Sequence, residues 1–236
     1  MTTPWSAVAL IFDCDGVLVN SEEIVQEIEL ELLSAHGLHY DRDEFSRRFL
    51  GVSDEYFYAA LSQDSMERLG RPLPESFPET LMQTAYEAFQ TDLRSFDGVR
   101  EVAMNWPGLL AVASSSSISG LELKLRIAGL SSVFSSHVYS AEHVDKGKPD
   151  PAIYLHTAAR LEVNSADCLV VEDSVNGVLA AKAAGMYTIG FTAGAHCRGG
   201  HEDLLVEAGA DIVVETMHEL RLFLEALIEK PGPGVL

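Results

Sequence analysis

The chain has 236 residues, enough for one large domain or for a main domain carrying a smaller insert. Its 16 basic and 36 acidic residues give a formal charge of -20, which excludes the concentrated basic face that nucleic-acid backbones require. Three scattered cysteines without a CxxC, a start without a basic signal-peptide region, and no apolar run of membrane-spanning length point to a soluble, cytoplasmic chain without a membrane or nucleic-acid partner.

The first element is an apolar run, Val8-Ala9-Leu10-Ile11-Phe12, that ends in Asp13 and Asp15 with Gly16 behind them. At a strand end residues i and i+2 face the same side, so two carboxylates share one small volume. Like charges that close require a cation or a shared proton. From Ser21 the pattern turns helical: Ile24, Val25, Ile28, Leu32 and Leu33 recur at helical spacing, and Gly37 offers a stop. Further helices are expected at 43–50, 54–69 and 78–93, with a proline-rich break at 71–78. No strand is expected here, so 19–94 reads as an all-helical insert.

After Gly98 strands and helices alternate. Strands are expected at 109–113, 137–139, 168–171, 187–191 and 211–214, with helices at 119–129, 150–161, 174–185 and 200–208 between them. That alternation argues for a parallel α/β sheet built from 1–18 and 95–229, with its site at the carboxyl ends of the strands. The tail 230–236, KPGPGVL, is expected to be disordered.

Three groups at later strand ends can meet the two aspartates. The 109–113 strand leads into Ser114-Ser115-Ser116-Ser117, whose hydroxyls and backbone N–H groups suit a phosphoryl group or an ordinary helix cap. Lys148, in the proline-bounded loop Lys146-Gly147-Lys148-Pro149, can neutralise carboxylate and phosphate together, while Lys146 reads as a solvated charge. The 168–171 strand ends at the paired acids Glu172 and Asp173, ahead of a helix. Four carboxylates in one pocket demand a hard cation, and an oxygen-only set with phosphate selects Mg²⁺.

The segment FDCDGVLVNSE, together with Ser114, Lys148-Pro149 and Glu172-Asp173 in that order, resembles the four motifs of the haloacid dehalogenase-like (HAD) hydrolases. DGVLVNSE is most similar to the branch that holds sugar-phosphate phosphatases and β-phosphoglucomutase. The resemblance implies a Rossmann-like core with an inserted C1-type helical cap, acting on a small-molecule phosphate ester. It implies Asp13 as nucleophile, Asp15 as acid and base, Ser114 and Ser115 with Lys148 on the phosphoryl oxygens, and Mg²⁺ held by Asp13, the Asp15 carbonyl, Asp173 and Glu172, the last directly or through water. An acid at position 15 favours phosphate-ester chemistry over dehalogenation. Where the mutase pattern carries a histidine and an arginine this chain has Val25 and Asp54, which favours a phosphatase over the alternative phosphosugar mutase. A receiver-like signalling module would lack the large insert after the first strand.

Substrate selection then falls to the insert. Arg47, Arg48 and the loop 51–53 are candidates for pairing with a second anionic group, or are solvated helix charges. Ser21 either reaches the substrate or caps the helix that follows it. His196, Cys197 and His201 match no standard zinc spacing and read as a glycine-rich loop at the pocket rim. A monomer or weak homo-oligomer is expected.

Overall fold

A computed structural model describes residues 7–49, 54–134, 136–197 and 199–229 of the chain. The elements run β1 (Ala9–Phe12), α1 (Ser21–Ala35), α2 (Arg42–Phe49), α3 (Asp54–Leu69) and α4 (Phe77–Asp92). They continue with α5 (Val99–Asn105), β2 (Leu109–Ser114), α6 (Ile118–Ile127), β3 (Val138–Ser140) and α7 (Ala152–Arg160). The last are β4 (Cys168–Glu172), α8 (Val175–Ala183), β5 (Tyr187–Phe191), α9 (His201–Glu207), β6 (Ile212–Val214) and α10 (Met217–Glu229).

All six strands are parallel, in the order β3-β2-β1-β4-β5-β6. β1 lies between β2 and β4, with Phe12 level with Val112 on one side and Val171 on the other. Its residues are completely buried because helices cover both faces of the sheet, as parallel sheets require. Alternation splits the strand residues between two cores. Leu10, Phe12, Val112 and Val171 pack with Val102 of α5, Leu121 of α6 and Leu220 of α10. Ile11, Ala111, Ala113 and Val170 pack on the opposite face with Tyr154 of α7 and Ala181 of α8. The strand order diverges on either side of β1, so the crevice above its carboxyl end is the place where an open α/β sheet binds ligands.

Helices α1 to α4 fall between β1 and β2 and hold a third core of their own, including Ile28, Leu33, Phe45, Phe57, Leu61 and Leu81. Phe45, Phe49, Phe57 and Tyr40 meet largely edge to face, with Phe49 and Phe57 centroids 5.2 Å apart. The two crossings into this insert run side by side: the Asn20 N–H donates to the Arg94 carbonyl at 3.1 Å, and the Arg94 N–H to Asn20 Oδ1 at 2.8 Å.

Five of the six described strands differ from expectation by a residue at one end or both, β1 and β6 each starting one residue late. β2 reaches Ser114 and β4 reaches Glu172, so these two residues are strand ends, while β3 begins and ends one residue later than the pattern suggests. Helices α5 and α10 were not anticipated. Met217, Leu220 and Leu224 give α10 a readable apolar stripe, and α5 packs against it. Among the described residues no helix is long and apolar enough to cross a membrane.

Candidate active site

Asp13 continues the ladder beyond β1, its N–H donating to the Val171 carbonyl at 3.0 Å. The chain then turns at Gly16, whose φ of +75° is open to glycine at little cost. A Cβ on Gly16 would sit 1.8 Å from Asp173 Oδ2, so only glycine lets the two carboxylate-bearing loops approach this closely.

Lys148 anchors the centre. Its Nζ donates to Asp13 Oδ1 at 2.6 Å, to Glu172 Oε1 at 2.6 Å and to the Ala113 carbonyl at 3.1 Å, which uses all three ammonium donors. Glu172 is completely buried. Its Oε1 also accepts from the Tyr154 hydroxyl at 2.9 Å, and its Oε2 accepts from the Ser174 N–H and hydroxyl, each at 3.0 Å. Gly177 makes room for it, since a Cβ there would lie 1.7 Å from Oε1. Glu172, expected as a metal ligand directly or through water, has both oxygens engaged by protein donors, Lys148 among them.

Asp15 is held from several directions. Ser21 Oγ donates to its Oδ1 at 2.5 Å, while Ser116 and Ser114 reach its Oδ2 at 2.8 and 3.3 Å. The buried Lys124 ammonium pairs with Asp15 and donates to Ser116 Oγ at 2.7 Å. Burial pushes the Asp15 carboxyl up, but the Lys124 charge and these donors outweigh burial and hold it at about 2.

Asp13 and Asp173 shift the other way. Burial raises both, and neighbouring carboxylates raise them further against the opposing charge of Lys148. Glu22, which lines the same space, is pushed up to about 7 by burial and then by Asp15 and Asp173. The site therefore carries more negative charge than its two lysines balance, and Asp13 with Asp173 supplies hard oxygen donors. Those properties fit Mg²⁺. Above the site opens a cleft of about 1600 Å³, with Asp13, Lys148 and Asp173 on the core side and Phe49, Tyr86 and Phe89 on the insert.

A family model for haloacid dehalogenase-like hydrolases matches residues 8–185. The chain belongs to the haloacid dehalogenase-like hydrolases. This HAD-like hydrolase is 33% identical over 197 residues to hexitol phosphatase B of Escherichia coli, covering 80% of the chain and 85% of that relative. It is 32% identical over 223 residues to the phosphorylated carbohydrates phosphatase of Thermotoga maritima, covering 93% of the chain and 99% of that protein. A haloacid dehalogenase-like protein of unknown function from Agrobacterium tumefaciens superposes with a TM-score of 0.85 at 34% identity, over 94% of the chain and 99% of that structure. Relatives of this kind along most of the chain show the HAD-like hydrolase to be a phosphatase.

Other expected residues of the hydrolase are placed as follows. Ser114 is completely buried, accepting from the Ser116 N–H at 3.0 Å, and Ser115 lines the cleft. Ser21 bonds to Asp15 rather than capping α1, whose cap residue Asn20 makes no side-chain capping bond. Arg48 forms a two-pronged pair with Asp64 at 2.5 and 2.8 Å inside the insert, because Asp64 is buried and needs a counter-charge. The side chain of Arg47 and the loop 51–53 lie outside the described residues. His196 Nε2 stands 2.8 Å from Asp173 Oδ2, and His201 Nε2 donates to the Asp173 carbonyl at 2.5 Å, so that loop supports Asp173. Burial keeps His196 low and neutral, which makes its contact with Asp173 a hydrogen bond rather than an ion pair.

Lys124 and Tyr154 escaped the sequence reading of this hydrolase. For Lys124 a signal existed: Leu121, Lys124 and Leu125 share the buried face of α6, and a lysine in an apolar stripe needs a partner. Tyr154 had no such mark, because a buried tyrosine is ordinary core until its partner is known.

Proposed function

We propose that the chain is a Mg²⁺-dependent phosphatase of phosphorylated carbohydrates that works through an aspartyl-phosphate on Asp13. The observation that carries this reading is Asp13 clamped by Lys148 at 2.6 Å, beside an Asp15 that hydroxyls and Lys124 hold at the mouth of the cleft. An Asp13 oxygen attacks phosphorus while the ester P–O bond breaks and Asp15 protonates the leaving alkoxide. Asp15 then takes a proton from the water that attacks the phospho-enzyme, the Asp13–phosphorus bond breaks, and inorganic phosphate leaves. Arrival of a dianionic phosphate competes for Lys124 and Ser116 and raises the affinity of Asp15 for a proton, which converts it from a pinned anion into an acid. Asp13 and Asp173 would hold the Mg²⁺, which when bound offsets the charge of phosphate and carboxylates.

The similarity to hexitol and phosphorylated-carbohydrate phosphatases supports a sugar or polyol phosphate as substrate. The cleft adds a preference, since Glu22, Glu29 and Glu122 among its lining residues suit hydroxyl groups better than a second anion. Phosphate release from hexitol, hexose and sugar-acid phosphates, with Mg²⁺ and with chelator, tests the reading. Release that requires Mg²⁺, an acid-stable labelled phospho-enzyme from a radiolabelled substrate, and loss of both in Asp13→Asn are expected. Turnover by Asp13→Asn within about tenfold of wild type would sink the mechanism, because losing a nucleophile costs far more. Isomerisation of a hexose 1-phosphate without phosphate release would favour the mutase alternative.

A further inference from the structure

Behind Asp173 lies a set of donors that the phosphatase chemistry leaves unused. His196 Nε2 is 2.8 Å from Asp173 Oδ2 and 3.2 Å from Cys197 Sγ. One ligand atom from each of the three residues lies within 4.8 Å of the others. Asp173 and His196 are buried and Cys197 is half-buried, so the group is an enclosed one rather than a solvated acidic patch. Among the described residues, the sulfur's other hydrogen-bond contact is the distant Phe191 carbonyl at 4.0 Å.

The spacing suits a small tetrahedral ion. Bonds of about 2.3 Å to sulfur and about 2.0 Å to nitrogen and oxygen place N···S near ~3.5 Å and N···O near ~3.3 Å. The observed N···S and N···O pairs, at 3.2 and 2.8 Å, need to open by a few tenths of an ångström, and the S···O pair, within 4.8 Å, has to close toward ~3.5 Å. One imidazole, one thiolate and one carboxylate form the donor set of Zn²⁺-class ions, whereas Mg²⁺ takes oxygen alone. A divalent cation bound to the sulfur displaces the thiol proton and yields the thiolate.

We propose that Asp173, His196 and Cys197 form a binding site for a thiophilic divalent cation of the Zn²⁺ class. An ion held there withdraws Asp173 from Asp13, so Zn²⁺ inhibits the phosphatase in competition with Mg²⁺. That consequence, unlike the site itself, rests on the Mg²⁺ reading above.

Co²⁺ is the probe, because a thiolate bound to Co²⁺ gives a near-ultraviolet charge-transfer band that oxygen ligands do not. Titrating the metal-free protein should raise this band with one equivalent, and Zn²⁺ should abolish it by tighter binding. Cys14→Ala and Cys168→Ala should keep the band; Cys197→Ala and the near-isosteric Cys197→Ser should lose it. No band in the wild-type protein, or a band surviving in both Cys197 variants, overturns the proposal. In phosphate-release assays, with each protein read against its own activity in Mg²⁺ alone, Zn²⁺ should inhibit wild type at least tenfold more potently than Cys197→Ser. Equal inhibition of the two would refute the shared ligand, while activity without any Mg²⁺ requirement would refute the function and leave the Co²⁺ band as the test of the site.

Discussion

Two buried lysines divide the work of this site. Lys148 spends its three donors on Asp13, Glu172 and the Ala113 carbonyl, which fixes Asp13 against the end of β2. Lys124 reaches Asp15 from α6 and sits at the cleft, where an incoming phosphate can compete for it. Asp15 at about 2 lies below its ordinary 3.8, so the pair contributes stability above pH 4 and loses it as pH falls through 2. Lys124→Met leaves a buried carboxylate unpaired and should destabilise the protein by about 3 kcal/mol at pH 7. Urea unfolding should show that difference shrinking as pH falls from 4 through 2, as Asp15 becomes protonated in both proteins.

Glu22 runs the opposite way. Its folded value of about 7 lies above the ordinary 4.5, so ionisation penalises the folded state: the penalty is absent below pH 4.5, grows to pH 7 and is constant beyond. Glu22→Gln in chelator should therefore be nearly neutral at pH 4.5 and stabilising by up to about 3 kcal/mol at pH 8. Thermal melts at the two pH values check this, and an equal gain at both would contradict the charge crowding.

At the scale of elements, Arg48 ties two helices of the insert together. Its pairing with Asp64 joins α2 to α3, and the Tyr40 hydroxyl adds a third donor at 2.5 Å. With Arg48 about one-third exposed, Arg48→Ala should cost about 1–3 kcal/mol of stability, less than a fully buried pair. KM should stay unchanged in steady-state assays, and a large rise in KM would return Arg48 to the substrate. The helical spacing of the insert was legible because each helix has one apolar face. The pairing was not, since Arg48 and Asp64 are 16 residues apart and only the packing of two helices brings them together.

For the whole molecule, the formal charge is -20, and within the site burial and neighbouring carboxylates raise Asp13 and Asp173. A cation that binds only the folded state stabilises it by mass action, about 2.7 kcal/mol at a hundred times its dissociation constant. Mg²⁺ should therefore raise the melting temperature of the wild type and move Asp173→Asn far less. Identical Mg²⁺ shifts in differential scanning fluorimetry would place the cation elsewhere.

The sequence by itself determined the strand–helix alternation, the insert after β1 and the acids, serine and lysine at the strand ends, because apolar periodicity and turn chemistry are local. Register fixed the outcome for Asp13 and Asp15: a strand ending there must present both carboxylates at the sheet's carboxyl edge. Only the tertiary structure decided who serves whom. It assigned Glu172 to Lys148, Lys124 and Ser21 to Asp15, Arg48 to Asp64, and the His196 loop to Asp173. Each of those pairings depends on distances across packed elements, and burial, not sequence spacing, makes each partner necessary.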